Sequence, residues 1–351
     1  MYPVAVLGNT PTARGLLLAS KKAGFENVTW FKSAPRSAQA TPIEFPANPI
    51  AANTTRIINT LGGGEALLDL GHQPNRQQVR FANSGFLLTE LPLGDFTKAR
   101  YGAPMMNIEN HHWTDLLALD DPPLDYPTLN DLETNHSLVA DCGPQAQLEV
   151  TMSHTLWHAA MPLNVKQSHA NITWLNQQQT AWQFSTRTAT HILVAAPANQ
   201  PPEEHQWHPM LREAIKQSQP VGMFNPFQIL IREHWRAGKL VFLGEACSSP
   251  NPYLLEAAAC GLEDAWVLSR MLENYEEDID DGLQQYVRYR QPRARKIAAH
   301  GRSVAKRENL TQPHKRFLKH IKAAVSARFL PEIAMQNIDW FYGYDCIRGF
   351  R

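Results

Sequence analysis

The sequence predicts an α/β fold in which a parallel sheet is combined with an antiparallel sheet and C-terminal helices. Three observations support this fold class. The chain opens with an apolar run, a turn, a helix and a second apolar run within about 30 residues. A second passage from strand to helix lies within residues 240–275, and polar and apolar stretches alternate through residues 147–196. With 351 residues, the chain has the length of about two domains.

The opening unit predicts the first two strands of the parallel sheet. Residues 3–8 form a short apolar run ending in glycine, which is typical of a buried parallel strand. Residues 12–23 predict a helix that stops at Gly24, and residues 27–31 predict the next strand. Residues 34–52 are rich in proline and alanine, and we expect a loop there.

The elements that follow alternate between helix and sheet. Residues 53–70 predict a helix interrupted by the glycines at 62–64, and residues 79–93 predict strands. A short helix is expected over residues 111–119 and a short apolar strand over 138–141. The alternation in residues 147–196 then predicts an antiparallel sheet.

The C-terminal third predicts one more strand and then helices. Residues 240–244 form a buried strand that runs into a turn, and a helix is expected over residues 254–275. Residues 280–325 are rich in Arg, Lys and Ala and predict helices broken at Pro292 and Pro313.

Composition limits the classes of protein to which the chain can belong. Hydrophobic residues make up 43% and charged residues 19%, which provides for a core and gives no signature of disorder. The 33 Lys plus Arg balance the 33 Asp plus Glu, and this argues against nucleic acid as a partner. No apolar run approaches the roughly 18–20 residues of a membrane span, and residues 1–8 lack the features of a secretion signal. We therefore expect a cytoplasmic protein.

The balanced charge hides an asymmetry between two neighbouring regions. Residues 263–281 contain eight acidic residues and one Arg, whereas residues 288–328 contain thirteen Lys or Arg and one acid, Glu308. We expect the basic tail to dock against the acidic region. Contact of the tail with anionic lipid or with a protein partner is the alternative.

Four cysteines are scattered along the chain, and none forms a CxxC pair, so neither a zinc knuckle nor a redox dithiol is indicated. They are Cys142, Cys247, Cys260 and Cys346. Without a secretion signal, we expect reduced and partly buried thiols.

Two groups of histidines have spacings with some likeness to metal sites: residues 109–112, and His154 with His158. The second pair lies in a predicted strand, where four residues span about 13 Å. We expect surface or hydrogen-bonded histidines in both groups, and no metal site.

Aromatic side chains are frequent in the predicted antiparallel sheet, where they could line a cavity for an aromatic substrate or belong to the core. These side chains, together with one histidine, are Trp157, His158, Trp174, Trp182 and Phe184. Ser248 lacks a Gly-x-Ser-x-Gly context, which argues against a hydrolase.

The turn at residues 8–13 carries part of a dinucleotide-binding pattern. Gly8 permits a tight turn after the strand, and Ala13 is small enough for the helix to pack on the sheet. Thr10 stands where a second glycine would let the backbone approach a pyrophosphate, and Pro11 lacks a backbone N–H. Alone, the turn leaves open whether it binds a dinucleotide or only connects strand and helix.

A stronger pattern lies in residues 240–265. Gly244 and Ala246 follow the strand, Pro252 comes after a short loop, and the next helix carries Glu-Asp-Ala at 263–265. This order and spacing resemble the second flavin-binding motif of the FAD-dependent aromatic monooxygenases, the para-hydroxybenzoate and salicylate hydroxylase group.

Four further segments resemble elements of the same family in the same order. They are residues 232–238 before the strand, Tyr-Arg-Gln-Pro-Arg-Ala-Arg at 289–295, Trp-Phe-Tyr-Gly-Tyr-Asp at 340–345, and Ala-Asp-Cys-Gly at 140–143. The likeness covers most of the chain, and the middle sheet is its least specific part.

The resemblance implies an FAD/NAD(P)-binding Rossmann-like three-layer domain, a β-sheet substrate domain and C-terminal helices. The flavin domain would comprise residues 1–75, 100–150 and 238–285, the substrate sheet residues 76–99 and 151–237, and the helical segment residues 286–351. The implied function is that of a flavoprotein oxidoreductase, a monooxygenase that hydroxylates an aromatic or similar planar small molecule with FAD, NAD(P)H and O2. The implied cofactor contacts are Gly8, Thr10, Ala13, Lys32, Asn110, Asp141, Gly244, Glu245, Pro252, Leu255 and Ala257.

Several of these positions depart from the family pattern. Lys32 replaces the acid that binds the adenosine ribose, and it cannot accept hydrogen bonds from ribose hydroxyls. Leu255 and Ala257 replace a Gly-x-Gly that faces the isoalloxazine, and they place side chains where backbone would meet a flat ring. The other departures are Asn110 for an Arg, Glu245 for an Asp, and Cys142 in place of the Gly of an Asp-Gly pair.

The departures keep a second hypothesis open, a flavin-free relative that serves as a binding or accessory protein. A reductase or halogenase on the same fold is a third. No catalytic base can be assigned from the sequence, where His158 and His112 are candidates by side-chain type alone.

Overall fold

Within the described residues, three sheets form the framework of the fold in a computed structural model. The structure describes residues 2–35, 43, 45–144, 151–163, 169–229, 231–248, 251–257, 259–309 and 331–349.

The first sheet is assembled from three separate parts of the chain. Within the described residues its strands are β1 (Val4–Leu7), β2 (Val28–Phe31), β7 (Leu138–Asp141), β13 (Arg236–Ala237) and β14 (Leu240–Phe242). Their order is β13-β14-β7-β1-β2, with β7 in the middle. Strand β1 runs parallel to both β2 and β7, and β14 runs parallel to β7. Short, fully buried apolar strands of this kind are typical of parallel sheets covered by helices. The predicted α/β fold class is confirmed.

Two helices cover one side of this sheet and pack against each other. They are α1 (Pro11–Lys22) and α8 (Gly261–Asn274). Helix α1 has Pro11 in its first turn and buries Leu16 and Ala19, while α8 buries Leu262 and Val267 in the same apolar cluster.

The second sheet has seven strands in the part of the chain that is described. They are β4 (Arg76–Phe81), β5 (Leu87–Pro92), β8 (His154–Pro162), β9 (Ala170–Leu175), β10 (Thr180–Ser185), β11 (Ala189–Pro197) and β12 (Gln219–Phe224). Their order is β12-β8-β11-β10-β9-β4-β5, and all pairs are antiparallel except β4 with β9. Helix α7 (Pro209–Gln217) covers one face of this sheet. The other face is turned toward the C-terminal helices.

The third sheet joins β3 (Ala47–Ile50) to β6 (Met106–Glu109) in antiparallel pairing. The expectation of a loop throughout residues 34–52 is therefore wrong at 47–50. These four residues are buried, and pairing with β6 supplies backbone partners that local composition does not reveal. Residues 36–42 and 44 lie outside the described residues.

The remaining helices surround these sheets. They are α2 (Ala52–Leu61), α3 (Gly64–Leu70), α4 (Asp95–Tyr101), α5 (Trp113–Leu116), α6 (Leu129–Asn135), α9 (Ile279–Glu308), α10 (Pro331–Tyr342) and α11 (Cys346–Gly349). Shorter 3-10 turns include Asn110–His112, Gly244–Ala246 and Pro252–Ala257.

Two helix predictions near the C-terminus need correction. The helix expected over residues 254–275 begins only at Gly261, because Pro252–Ala257 forms a 3-10 turn with a kink at Leu254. Helix α9 continues through Pro292 instead of breaking there. Arg290 and Arg293, on both sides of the proline, hold this part of the helix in place through ion pairs with α8. Pro313 lies outside the described residues.

All four cysteines are free and buried. Their burial is more complete than the partial burial expected from the sequence. Among the described helices, none combines the length and apolar character of a membrane span. The domain boundaries, the cytoplasmic location and contact of the basic tail with lipid or a protein partner stay predictions.

Candidate functional site

The turn between β1 and α1 lies against the loop that follows β7. Gly8 has a φ of +109°, and a Cβ at this position would lie 3.1 Å from the backbone nitrogen of Gly143. The positive φ and the close approach together require glycine. Ala13 is completely buried in the core beneath the turn.

Thr10 caps α1 with its own side chain. Its Oγ1 accepts a hydrogen bond from the N–H of Ala13 at 3.2 Å, and its hydroxyl donates to the carbonyl oxygen of Cys142 at 3.0 Å. This cap satisfies one of the N–H groups that a helix start can otherwise offer to a phosphate, and Pro11 removes another. The start of α1 is therefore less open to a phosphate than a glycine-lined turn.

Lys32, at the end of β2, pairs with an acid of the connector that follows α5. Its Nζ lies 2.7 Å from Oδ1 of Asp125, and both side chains are mostly exposed. The hydrogen bond from Lys32 lowers the pKa of Asp125. This position therefore offers a hydrogen-bond donor where the resemblance implies an acceptor for ribose hydroxyls.

Asp141 and Asn110 form hydrogen bonds with backbone groups of adjacent segments. Oδ1 of Asp141 accepts a hydrogen bond from the N–H of Gly143 at 2.9 Å, which shapes the loop beside Gly8. Asn110 is exposed, and its N–H donates to the carbonyl oxygen of Pro46, which ties the end of β6 to the segment before β3.

Gly244 forms the turn after β14, where three elements meet at Thr12. Its φ is +56°, and its N–H donates to Oδ2 of Asp264 at 2.9 Å. A Cβ at Gly244 would lie 2.4 Å from Oγ1 of Thr12, and a Cβ at Gly261 would lie 2.0 Å from the same atom. The two glycines therefore allow the starts of α1 and α8 to touch this turn.

A cavity of about 740 Å³ follows this turn, and four of the predicted cofactor residues line it. They are Gly244, Glu245, Leu255 and Ala257, and α9 contributes Ala294, Ala298 and Gly301 to the lining. The other seven predicted residues lie outside this lining: Gly8, Thr10, Ala13, Lys32, Asn110, Asp141 and Pro252. The resemblance assigns part of the flavin site to this turn, and Thr10 and Lys32 differ from the family pattern at the phosphate and adenosine end.

Leu255 turns its side chain into a packed apolar cluster. Only 4% of its surface is exposed, and the cluster also contains Phe45, Tyr253, Trp182 and Phe184. The side chain is therefore part of the core between the turn and the second sheet. An isoalloxazine ring placed against the turn Pro252–Ala257 would have to lie beside Leu255. The Leu255 side chain fills space that a glycine at this position would leave open.

A second cleft, of about 940 Å³, lies between the second sheet and the turn Pro252–Ala257. The sheet supplies aromatic and polar side chains to it, namely Gln77, Asn171, Thr173, Trp182, Gln183 and Phe184. The turn supplies Tyr253 and Glu256, α9 supplies His300, and α10 supplies Tyr342. Apolar walls with a few converging polar groups are typical of sites for small molecules.

Glu256 is a carboxyl group of this cleft, which Arg307 and Glu308 of α9 also line. Sequence patterns do not single out Glu256, although it lies between Leu255 and Ala257. Its Oε1 accepts a hydrogen bond from the hydroxyl of Tyr342 at 3.0 Å. Burial raises the pKa of Glu256 above its ordinary value, although the hydrogen bond from Tyr342 opposes the shift. A carboxyl group with a raised pKa in a cleft is a candidate for proton transfer.

A buried group of charges joins α8 to α9. Glu263 lies 2.7 Å from Nη1 of Arg290 and 2.6 Å from Nε of Arg293, and Asp264 lies 2.6 Å from Nε of Arg290. Arg293 also donates to the carbonyl oxygen of Trp340 at 3.1 Å, which connects α10 to the group. The expected docking of acidic and basic regions is confirmed for these residues, although the contacts are buried rather than on the surface.

The aromatic residues of the second sheet divide between its two faces. Trp182 and Phe184 line the cleft, whereas Trp174 and Trp157 pack on the side of α7. This division follows from the alternation of side chains along a strand. Trp182 and Phe184 also belong to the apolar cluster around Leu255. Core packing therefore holds on both faces, and a substrate cavity stays a prediction.

The histidines named as candidate bases lie outside the lining of the cleft. His158 is on β8, as predicted, and its Nε2 is 3.1 Å from Nδ1 of His191. Burial lowers the pKa of His158 to about 4, which favours the neutral ring. His112 is in the 3-10 turn after β6, next to His111.

The curated proteins to which the chain is similar include several monooxygenases. No protein-family model matches the chain. The chain is 23% identical over 275 residues to 6-hydroxynicotinate 3-monooxygenase of Pseudomonas fluorescens, which covers 64% of this chain and 71% of that protein. It is 26% identical over 111 residues to 3-amino-4-hydroxybenzoate 2-monooxygenase PtnB3 of Streptomyces platensis. That match covers 32% of this chain and only 26% of the relative.

Solved structures match over nearly the whole chain. A single-residue variant of HpxO from Klebsiella pneumoniae, in complex with FAD, matches with a TM-score of 0.75 at 14% identity over 97% of this chain and 98% of that chain. A salicylate hydroxylase substrate complex matches with a TM-score of 0.69 at 15% identity over 98% and 96%. The predicted resemblance is therefore confirmed: this chain is related in sequence to the FAD-dependent aromatic monooxygenases and has their fold.

Proposed function

We propose that the chain is an FAD-dependent monooxygenase that hydroxylates a planar aromatic small molecule, with NAD(P)H as reductant and O2 as the source of oxygen. The observation that carries this proposal is the cleft of about 940 Å³ beside the turn that the resemblance assigns to flavin. Its walls combine aromatic rings with amide, hydroxyl and carboxyl groups. The related HpxO, in a structure with FAD and uric acid, binds a molecule of this planar kind.

The residues that would hold the cofactor lie at the two turns described above. Gly8, Thr10, Ala13 and Asp141 belong to the first turn and the loop against it, where the Thr10 hydroxyl donates to the carbonyl oxygen of Cys142. The turn after β14 provides Gly244 and Glu245, and the 3-10 turn Pro252–Ala257 provides Pro252, Leu255 and Ala257. Lys32 and Asn110 follow directly after β2 and β6. A bound flavin would supply the redox chemistry and the activation of O2.

The proposed role of the chain's own groups is to place the aromatic ring and to move a proton. Glu256, with its raised pKa, accepts a proton from a hydroxyl or ring N–H of the substrate. Loss of that proton makes the ring more electron-rich and so a better acceptor of electrophilic oxygen. Tyr342 holds the carboxyl group in place through its hydroxyl, and Trp182 and Phe184 provide apolar surface for the ring.

The test is direct. The purified protein is expected to be yellow, with absorption at about 450 nm, to release FAD on denaturation, and to lose this absorption with NADH or NADPH under exclusion of O2. A panel of hydroxylated aromatic and N-heterocyclic acids is then screened for oxygen consumption and for products that have gained one oxygen atom. A protein that stays colourless after incubation with FAD would overturn the proposal.

Glu256→Gln tests the assigned base. The variant is expected to keep its FAD spectrum and to lose at least about 100-fold in the rate of hydroxylation, since general base catalysis contributes on the order of 10²–10⁴. The wild-type rate should rise with pH through a pKa above the ordinary glutamate value, and the variant should lose this rise. A neighbouring polar residue of the cleft, Gln77, provides the control as Gln77→Ala, for which the pH profile should persist.

A flavin-free binding protein is the second candidate, and two observations favour it: the hydroxyl cap of Thr10 and the packed side chain of Leu255. Thr10→Gly separates the two candidates. If the cap alone weakens FAD binding, the variant should bind FAD more tightly than the wild type. A wild type and variant that both ignore FAD, while an aromatic acid quenches the fluorescence of Trp182, would support the binding protein.

A further inference from the structure

Outside the two cavities, the end of β6 carries a cluster of three potential metal ligands. Glu109, His111 and His112 each offer one ligand atom, and these atoms all lie within 4.8 Å of one another. Ligand atoms around a zinc ion lie about 2.0–2.2 Å from the metal and hence within a few ångströms of one another. The spacing of the cluster is therefore compatible with a shared ion.

The carboxylate of Glu109 is oriented by hydroxyl groups from the turn between β10 and β11. Its Oε1 accepts hydrogen bonds from Thr186, at 3.0 Å, and from Thr188. Its Oε2 points the other way and lies 3.3 Å from Nδ1 of His111. Hydroxyl groups that fix one oxygen while the other faces imidazoles are the outer contacts expected around a ligating carboxylate.

The two histidines are held close together. Their ring centroids are 4.0 Å apart, with an angle of 47° between the ring planes. Nδ1 of His112 lies 3.3 Å from Oδ2 of Asp115, an arrangement that orients the ring and leaves Nε2 for a ligand. His112 has 16% of its side chain exposed and His111 has 66%, so solvent reaches the cluster from one side.

We propose that Glu109, His111 and His112 bind one zinc ion, with water completing the coordination. Two imidazoles and one carboxylate suit zinc, whereas magnesium and calcium prefer sites made of oxygen. Three protein ligands with one solvent position form the open type of zinc site. This inference departs from the expectation of hydrogen-bonded histidines, and it does not depend on the proposed flavin chemistry.

A zinc ion at this site would link the second sheet to the third sheet. Glu109 belongs to β6 of the third sheet, while Thr186 and Thr188 belong to the turn after β10 of the second sheet. The same turn is fastened by Arg187, whose Nε donates to the carbonyl oxygen of Gly71 at 3.0 Å. An ion on Glu109 thus stabilises the junction where the two sheets meet.

The experiment uses the full chain after removal of metals with a chelator, followed by titration with zinc chloride. Saturable binding of one zinc per chain and a rise in the melting temperature are expected, with magnesium chloride giving neither. His111→Ala, at an exposed position, should weaken zinc binding at least tenfold while the melting temperature of the metal-free protein stays unchanged. Thr188→Val should weaken it by about 10-fold or more through loss of an outer contact.

A matched control is the exposed pair of His205 and Glu203, whose Nε2 and Oε2 atoms also lie 3.3 Å apart. His205→Ala should leave zinc binding unchanged, because no third ligand joins this pair among the residues that the structure describes. Zinc binding that is absent, or that survives in His111→Ala and His112→Ala alike, would overturn the proposal.

Discussion

Glu256 and Glu263 have the same side chain and lie on one stretch of chain, but cations surround Glu263 and a neutral phenol contacts Glu256. Glu263 has no exposed surface and contacts the guanidinium groups of both Arg290 and Arg293. Asn53 donates a further hydrogen bond to it at 2.5 Å. Glu256 faces the cleft and accepts a hydrogen bond from the neutral phenol of Tyr342.

The pKa values of the two carboxyl groups shift in opposite directions as a result. Burial raises the pKa of Glu263, but the two arginines outweigh burial and hold the pKa below its ordinary value. For Glu256 burial prevails, and the pKa is raised. The comparison teaches that burial alone does not decide the role of a carboxyl group. The cations around Glu263 make it part of the framework, and their absence from the described contacts of Glu256 makes that group suitable for proton transfer.

The largest loss in the free energy of unfolding is expected for Glu263→Gln. The variant leaves two buried guanidinium groups short of a negative partner, and breaking a buried ion pair on one side costs about 3–5 kcal/mol. Urea unfolding followed by circular dichroism measures this loss in the free energy of unfolding. A loss below about 1 kcal/mol would show that the charges of the group do not hold α8 and α9 together.

The exposed ion pair of Arg76 with Glu90 provides the control for this prediction. Its atoms lie 2.8 Å apart, but 59% of the Arg76 side chain is exposed. Arg76→Gln should therefore change the free energy of unfolding by less than about 1 kcal/mol.

A smaller change in stability, which depends on pH, is expected for Glu256→Gln. Between the ordinary and the raised pKa, the folded chain binds the proton more tightly than the unfolded chain, so the wild type loses stability as pH rises through this window. The variant lacks this titration and should become more stable relative to the wild type at higher pH, by on the order of 1 kcal/mol. Thermal unfolding of both proteins at several pH values checks this. An equal pH dependence in both would contradict the raised pKa.

The smallest effect is expected for Tyr342→Phe. The hydroxyl of Tyr342 favours the ionised form of Glu256, so its removal should raise the pKa of that group further. The fall in stability should then extend to a higher pH, by less than about one unit, with a loss of about 1 kcal/mol for the hydrogen bond. A shift to lower pH would mean that the tyrosine does not act on this carboxyl group. Phe81→Leu, in another part of the second sheet, should leave the pH dependence as it is.

Features that depend on neighbours in sequence could be predicted well. The passage β1-α1-β2, the strand β14 and the turn at Gly244 follow from short apolar runs and glycine positions. The strand position of His154 and His158 was also predictable, since alternation along the chain shows a strand directly.

Features that depend on distant contacts could not be predicted from local patterns. Strand β3 is stabilised by β6, about 60 residues later, and α9 passes through Pro292 because arginines on both sides of it bind α8. The raised pKa of Glu256 could not be predicted for the same reason, because it depends on burial and on Tyr342, which comes from another helix.

The contact of α1 with α8 has a consequence for how the chain folds during synthesis. Helix α1 is made early, but the helix that covers its apolar side is some 250 residues away. At translation rates of about 5–20 residues per second, α1 waits on the order of 10–50 s for its partner. The strands of the second sheet all emerge within this interval. We therefore expect the second sheet to form first and the N-terminal segment to be the part that chaperones protect on the ribosome.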